Sequence, residues 1–302
     1  MFQKIIEEIS QELNIKYTYL SKDWIIKLEK DNKISYIVGY KFALNNHALG
    51  IILDDKYALY EVLNNLKIPV CTHHIIYSTT NKKRYAKESN SYQTLIDYFN
   101  KYNKNVVIKP NTGSLGNGVH HITNIDDLIN YSNKLLQKHV SISLSPYYDA
   151  INEYRIIVLK DKIKLIYRKI KPIIYGDGKS SIQDLLIKFN TNYFKDKNLP
   201  TTILKKNEKY IYDWRFNLSK GSMCTLEIDS NIKTDLTKLA LNISHKLNLG
   251  FASIDVLELK DHSLKVVEIN SGIMLNNAIN DLPNGYNIAK DIYKEAILEL
   301  FK

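Results

Sequence analysis

The chain has 302 residues, 44% hydrophobic and 25% charged, which is enough apolar material for a full core and more length than one compact domain commonly uses. That balance excludes a disordered chain, and the absence of any long uncharged apolar run excludes a membrane-spanning helix. The net charge of +10 does not by itself select nucleic acid: the lysines are scattered among Asn, Ile and Tyr with no Arg-rich or Lys-rich block, and a basic cleft for a polyphosphate uses the charge better.

The N-terminal MFQKIIEEISQEL reads as an amphipathic helix whose Glu7, Glu8 and Glu12 interrupt any signal-peptide core, so export is not expected. Cys71 and Cys224 stand far apart without metal-ligand spacing, which fits a reducing cytoplasm and ordinary buried or half-buried thiols. Residues 1–52 form a short α/β lead-in with β-like runs at Lys16 to Leu20, Trp24 to Leu28 and Ile34 to Val38.

Asp54 to Leu66 then reads as one helix, stopped by Pro69. Tyr92 to Tyr102 and Ile125 to Leu136 are further helices, and Asn105 to Lys109 is a strand entering a glycine loop. Beyond Glu153, Tyr154 to Leu159 and Ile163 to Arg168 form a hairpin. Residues 176–181 make a turn that caps a helix over Ile182 to Phe189, and Asn190 to Glu208 is a polar loop. Strands are expected at Tyr210 to Phe216 and Met223 to Ile228, and a helix at Lys233 to Leu247. Ala252 to Leu259 then pairs with Leu264 to Ile269.

Three constellations carry chemistry. In Lys109-Pro110-Asn111-Thr112-Gly113-Ser114-Leu115-Gly116-Asn117-Gly118, a strand aims a lysine toward a loop whose glycines let backbone N–H groups approach phosphate oxygens. The spacing is neither a Walker A loop nor a dinucleotide fingerprint, and a plain surface hairpin accounts for it equally. Asp255, Glu268 and Asn270 interrupt strands that are otherwise apolar, and three hard oxygen donors suit magnesium carrying nucleotide phosphates; an edge hairpin with its acids in solvent is the alternative. Arg155, Arg168 and Arg215 lie on β segments, where a planar fork can grip a carboxylate or phosphate, although each alone also reads as a rim ion pair.

Taken in order, Lys-Pro-x-x-Gly-x-x-Gly-x-Gly-Val at 109–119, Glu-Tyr-Arg at 153–155, Gly-Asp-Gly-Lys-Ser-Ser-Ile at 176–182, Asn-Leu-Ser-x-Gly at 217–221, Ile-Asp-Val at 254–256 and Val-Glu-Ile-Asn at 267–270 resemble the ATP-grasp superfamily, and more narrowly the ATP-grasp part of cyanophycin synthetase and the bifunctional glutathione synthetases. The resemblance implies an α/β (α+β) ATP-grasp fold in which two subdomains, 53–138 and 139–302, clasp ATP behind the lead-in at 1–52. It implies Lys56, Lys109, Gly113, Ser114, Gly116 and Gly118 as ATP-binding residues, with Asp149 standing in for the ribose contact. Asp255, Glu268 and Asn270 match the ligands of two Mg2+ ions, with Mn2+ as an alternative. Arg155 and Arg168 are similar to catalytic residues on the transferred phosphoryl group, and Arg215 and Asn217 to residues that hold a substrate carboxylate.

The activity so implied is ATP-dependent joining of a carboxylate to an amine through an acyl phosphate, on small-molecule partners such as an amino acid or short peptide. A cytoplasmic setting, no membrane or nucleic-acid partner, and a homodimer as one open arrangement go with it. An ATP-binding phosphotransferase or non-catalytic nucleotide-binding module on the same scaffold is the competing reading. Two departures stand out: cyanophycin synthetase continues into a second, Mur-ligase-like module while these 302 residues stop at Lys302, so its polymerase activity is not expected to carry over, and Asn270-Ser271-Gly272-Ile273 lacks the proline of the usual Asn-x-x-Pro-Gly ending.

Overall fold

The computed structural model describes residues 1–78, 92–113, 116–189, 194, 198–218 and 221–302. They fall into two units, one formed by Met1–Arg168 with Leu226–Lys302 and the other by Lys169–Thr225.

The larger unit begins with α1 (Phe2–Glu12), which buries Phe2, Ile5, Ile6 and Ile9 at helical spacing. The strands β1 (Lys16–Leu20), β2 (Ile25–Lys30), β3 (Lys33–Val38) and β4 (Lys41–Phe42) follow as a meander in sequence order. Asp31 and Asn32 both have positive φ between β2 and β3, the conformation a tight two-residue hairpin turn requires and these residue types tolerate.

The single helix expected over Asp54 to Leu66 is two: α2 (His47–Asp54) and α3 (Lys56–Asn65), separated by an extended Asp55. Asp55 serves the backbone better as a cap than in a helix interior, since its Oδ1 accepts from the Ala58 N–H at 2.9 Å. The break makes Lys56 the first residue of α3 and pairs Asp55 with Thr112 of the glycine loop.

Next come β5 (His74–Tyr77), α4 (Tyr92–Lys101), β6 (Val106–Pro110), β7 (His120–Ile122), α5 (Ile125–Lys138) and β8 (Ser141–Pro146). The four strands pair antiparallel in the order β5-β8-β6-β7. One face carries Ile76, Val106, Ile108, Ile142 and Leu144, packed against Leu95, Phe99, Leu128 and Leu135 of the two helices. The opposite face is polar yet buried: Ser141, Ser143 and Ser145 alternate along β8, and Lys109 of β6 stands directly opposite Ser143.

β9 (Ala150–Leu159) and β10 (Lys162–Ile170) form the expected hairpin. In the smaller unit β11 (Ile173–Tyr175) pairs with β12 (Lys209–Ile211), and α6 (Ile182–Phe189) spans the predicted residues. Ser181 and Asp184 cap α6 reciprocally, the Asp184 N–H donating to Ser181 Oγ at 3.1 Å and the Ser181 N–H to Asp184 Oδ2 at 3.2 Å. Ile174, Ile182, Leu186, Phe194 and Leu204 form this unit's own core. The strands expected at 210–216 and 223–228 are shorter, β12 and β13 (Met223–Thr225), while part of the 190–208 loop lies outside the described residues.

The larger unit resumes with α7 (Ser230–Leu247), β14 (Phe251–Leu259), β15 (Leu264–Asn270), α8 (Asn276–Asp281) and α9 (Gly285–Leu300). β10, β9, β14 and β15 lie side by side in that order. Their core face, with Tyr154, Ile156, Val158, Ile254, Val256 and Val266, packs on Leu59 and Leu63 of α3 and Leu236, Ala240 and Ile243 of α7. The helix α9 returns to α1, where Lys290 meets Glu8 at 2.9 Å and Glu12 at 2.7 Å, tying the lead-in to the C-terminal end of the chain.

Candidate functional site

Three charged side chains stand in a row across the second sheet. The register sets Asp255 of β14 directly opposite Arg155 of β9 on one side and Glu268 of β15 on the other. Cross-strand partners share a face, so all three project from the face opposite the core. Arg155 Nε donates to Asp255 Oδ1 at 2.7 Å and Nη2 to Oδ2 at 2.6 Å, a fork-to-fork pair around a carboxylate only 1% exposed. Burial opposes the Arg155 charge, but Asp255 beside it holds the guanidinium well above its ordinary value.

A bulge aims Glu268. The register steps from Asp255↔Glu268 to Val256↔Val266, leaving Val267 as an extra residue. Simple alternation would put Val266 and Glu268 on one face. With the bulge, Val266 enters the core while Glu268 joins the face of Asp255. Asn270, two residues on, donates from Nδ2 to Glu268 Oε1 at 3.1 Å.

The cations come from the other sheet and from α3. Lys109 on β6 is 9% exposed; burial pushes its pKa down, against Glu268, which acts to hold it up. Lys56 is half-buried and donates from Nζ to the Gly113 carbonyl at 3.0 Å. Burial, and then the like charge of Lys109, lower Lys56 to about 8, with Glu268 opposing. Asn111 fastens loop to helix, its Oδ1 accepting from the Tyr57 N–H at 3.1 Å and its carbonyl from the Lys56 N–H at 3.1 Å. Gly113, Gly116 and Gly118 all have positive φ, at 136°, 66° and 68°. At Gly118 a Cβ would also lie 2.9 Å from Leu135 Cδ2 and 3.1 Å from Pro110 Cδ, so the backbone favours glycine and the packing around it is tight. Ser114 lies outside the described residues.

Arg168 is not gathered there, and Arg215 and Asn217 belong to the smaller unit. Arg168 does not join Arg155: it follows Ile166 on the core-side face of β10, where Nε donates to the Glu227 carbonyl at 3.1 Å and Nη1 reaches Asn152 Oδ1 at 3.4 Å. The physical reason is strand parity, since Asn152 and Tyr154 lie on one face of β9 and Arg155 on the other. Arg168 instead lines a cavity of about 680 Å³ with Tyr154, Glu258 and His262. Asp149 is exposed and pairs with Lys260 at 2.5 Å. In the smaller unit Arg215 is held by its neighbour Asp213, with Nε 2.9 Å from Oδ1 and Nη2 2.5 Å from Oδ2, at the wall of a cavity of about 590 Å³. The Asn217 carbonyl accepts from the Ser222 N–H at 3.3 Å.

One residue of the buried polar face was not singled out from sequence. His73, just before β5, places Nδ1 2.7 Å from Ser143 Oγ, directly beside the Lys109 register position. The strict Ser-apolar alternation of Ser141 to Ser145, once β8 is read as a two-faced strand, was the signal that could have drawn attention to it.

Among the described residues no group of three or more His, Cys, Asp and Glu side chains forms a metal-binding cluster. No helix among them is long and apolar enough to cross a membrane. The site therefore offers two carboxylates and one amide oxygen, a set that suits a hard cation sharing its coordination with phosphate oxygens.

Residues 204–296 match the RimK-like ATP-grasp domain. The chain is similar to the alpha-aminoadipate–LysW ligase LysX of Saccharolobus solfataricus, with 25% identity over 86% of this chain and 75% of that protein. It is also similar to the glutathione biosynthesis bifunctional protein GshAB of Desulfotalea psychrophila, with 23% identity over 84% of this chain and 31% of that one. Among solved structures it resembles D-alanine–D-alanine ligase from Bacillus anthracis, with TM-score 0.58, 16% identity, and coverage of 85% of this chain and 69% of that one. The bifunctional glutathione synthetase from Pasteurella multocida gives TM-score 0.55 at 18% identity, over 96% of this chain but 43% of that one. The chain thus spans less than half the length of the two bifunctional relatives.

Proposed function

Because this chain has the ATP-grasp fold and carries a RimK-like ATP-grasp domain, we propose that it is an ATP-dependent carboxylate–amine ligase acting on an amino acid or short peptide. The observation that carries this reading is the arrangement of Arg155, Asp255 and Glu268 in register, with Lys56 and Lys109 electrostatically coupled to Glu268. Such a setting answers the central difficulty of the reaction, which is to bring an anionic carboxylate against a polyanion. The alpha-aminoadipate–LysW ligase named above is a ligase by its own name, which favours that substrate class.

In this reading residues 53–138 and 139–302 supply the two clasping subdomains. Asp255, Glu268 and Asn270 would hold magnesium, for which their hard oxygen donors on one face are suited. When bound, the ion neutralises phosphate charge and polarises the phosphoryl group. Lys56, Lys109 and the backbone around Gly113 to Gly118 bind the phosphates, and Arg155, oriented by Asp255, offers a fixed positive face to the transferred group.

A substrate carboxylate oxygen attacks the γ-phosphorus, the bond to the β-phosphate oxygen breaks, and ADP leaves. The lone pair of a neutral amine then attacks the acyl carbon, orthophosphate departs, and the nitrogen loses a proton to give the amide. The glycine loop excludes water from the acyl phosphate. Arg215 and Asn217 are proposed to hold the substrate carboxylate, a role supported by the cavity beside Arg215. A kinship with cyanophycin synthetase rests on the motifs alone, and a cytoplasmic setting accords with two buried free cysteines.

A screen of amino acid and dipeptide pairs with Mg-ATP, reading ADP and then product mass, tests the proposal. ADP release that needs both an acid and an amine and yields a product lighter by one water than their sum supports it. A phosphorylated product, or ADP release from either substrate alone, contradicts it.

A further inference from the structure

The buried polar face of the first sheet carries one side chain that the ligase chemistry above does not use. His73 is 1% exposed, and its Nε2 has no hydrogen-bond partner among the described residues although its Nδ1 lies 2.7 Å from Ser143 Oγ. A buried imidazole nitrogen left open in this way is uncommon and costs stability unless something fills it. Its place is specific. Ser143 is the register partner of Lys109 on β6 and of Ile75 on β5, so His73, two residues before Ile75, continues the face from which Lys109 projects.

Burial first, and then the neighbouring Lys109, Lys56 and His74, hold the imidazole well below its ordinary value. The Ser143 hydroxyl can either accept from Nδ1 or donate to it; in the tautomer in which it donates, Nε2 carries the proton and is a buried donor in a cationic setting. The acceptor that such a donor calls for is an anionic oxygen.

We propose that His73 is a further nucleotide-binding residue, donating from Nε2 to a phosphate oxygen of the bound nucleotide, with Ser143 as the positioning residue that sets its tautomer. This rests on the reading of Lys109 as a phosphate contact. A hydrogen bond to a charged group is worth roughly tenfold or more in affinity, which sets the size of the expected effect.

Calorimetric titration of Mg-ADP into the full chain and its variants, with thermal melting of each free protein, tests it. His73→Leu is expected to weaken Mg-ADP binding about tenfold; its melting without nucleotide combines the loss of an unpaired buried nitrogen with the loss of the 2.7 Å bond to buried Ser143, and serves to show that the variant folds. His73→Gln, which restores a donor near the Nε2 position, is expected to recover most of the affinity, and Ser143→Ala to lose part of it. If Lys109→Ala weakens binding but His73→Leu binds as tightly as the parent, the proposal for His73 is overturned and the nucleotide site stands. If the parent fails to bind Mg-ADP, or Lys109→Ala binds as well as the parent, the nucleotide reading itself falls. A His73→Leu protein that binds normally yet melts lower makes His73 a packing residue, which also overturns the proposal.

Discussion

Arg155 and Asp255 face each other across β9 and β14 and close both possible guanidinium–carboxylate bonds, at 2.7 and 2.6 Å, around a carboxylate that solvent does not reach. The Asp255 carboxylate left alone at this depth would be poorly solvated, whereas Arg155 is only partly buried. Arg155→Ala is therefore expected to destabilise the protein by about 3–5 kcal/mol, the range for breaking a buried pair. Chemical denaturation measures it. Replacing both residues by apolar groups of similar size is expected to recover most of that loss while leaving no ligase turnover, which separates the structural part of the pair from its chemical part.

Lys56 gives a pH dependence whose sign is fixed. Its folded value of about 8 lies below its ordinary one. Between the two values the unfolded chain binds more protons, so this group's contribution to stability rises with pH across that window. Bound phosphate reverses the balance, because an anion favours the ammonium. Mg-ATP binding just above pH 8 is accordingly expected to take up protons, seen as a binding enthalpy that changes with buffer ionisation enthalpy. Affinity falls as pH rises further, and Lys56→Met loses both effects.

Gly118 and Gly113 predict different outcomes for the same substitution. At Gly118 the backbone has φ of 68° and a Cβ would meet Leu135 and Pro110 at 2.9 and 3.1 Å. Gly118→Ala is expected to cost about 1–2 kcal/mol in stability, from the left-handed backbone and the crowding together. At Gly113 the nearest atom to a Cβ is 3.9 Å away, so strain there is conformational alone, at φ of 136°. Thermal melting of the two variants side by side checks the difference.

Asp55 links helix capping to the site. Asp55→Ala removes the acceptor for the Ala58 N–H and is expected to cost about 1 kcal/mol. Because the same residue starts the helix at Lys56, nucleotide affinity is expected to fall with it, while Asp55→Asn, which keeps the cap, retains most of both. Denaturation and nucleotide titration of the pair decide it.

Much of the fold was legible in the sequence because hydrophobic spacing and turn residues are local. Helix α6 spans its predicted residues, and the hairpin of β14 with β15 needed only an apolar frame broken by a polar turn. The fold class was legible from ordered motifs, and the RimK-like match over residues 204–296 accords with them. What escaped depends on parity and register. Arg168 reads as one more strand arginine, but a single position along β10 decides which face it takes, and it takes the core-side one. Glu268 reaches the face of Asp255 only because Val267 is bulged, and no spacing rule announces a bulge. The break at Asp55 escaped because its local cap goes together with the pairing to Thr112, which is tertiary. His73 escaped for a similar reason, since its neighbour Ser143 is distant in sequence.

The most direct measurement of the central claim follows a single oxygen. With any acid that supports ADP release in the presence of an amine, the carboxylate is labelled with oxygen-18 and the orthophosphate is analysed by mass. An acyl phosphate formed at this site predicts one labelled oxygen in each orthophosphate produced, and no turnover in Glu268→Ala. Orthophosphate that carries no label, or a Glu268→Ala protein that turns over like the parent, would contradict it.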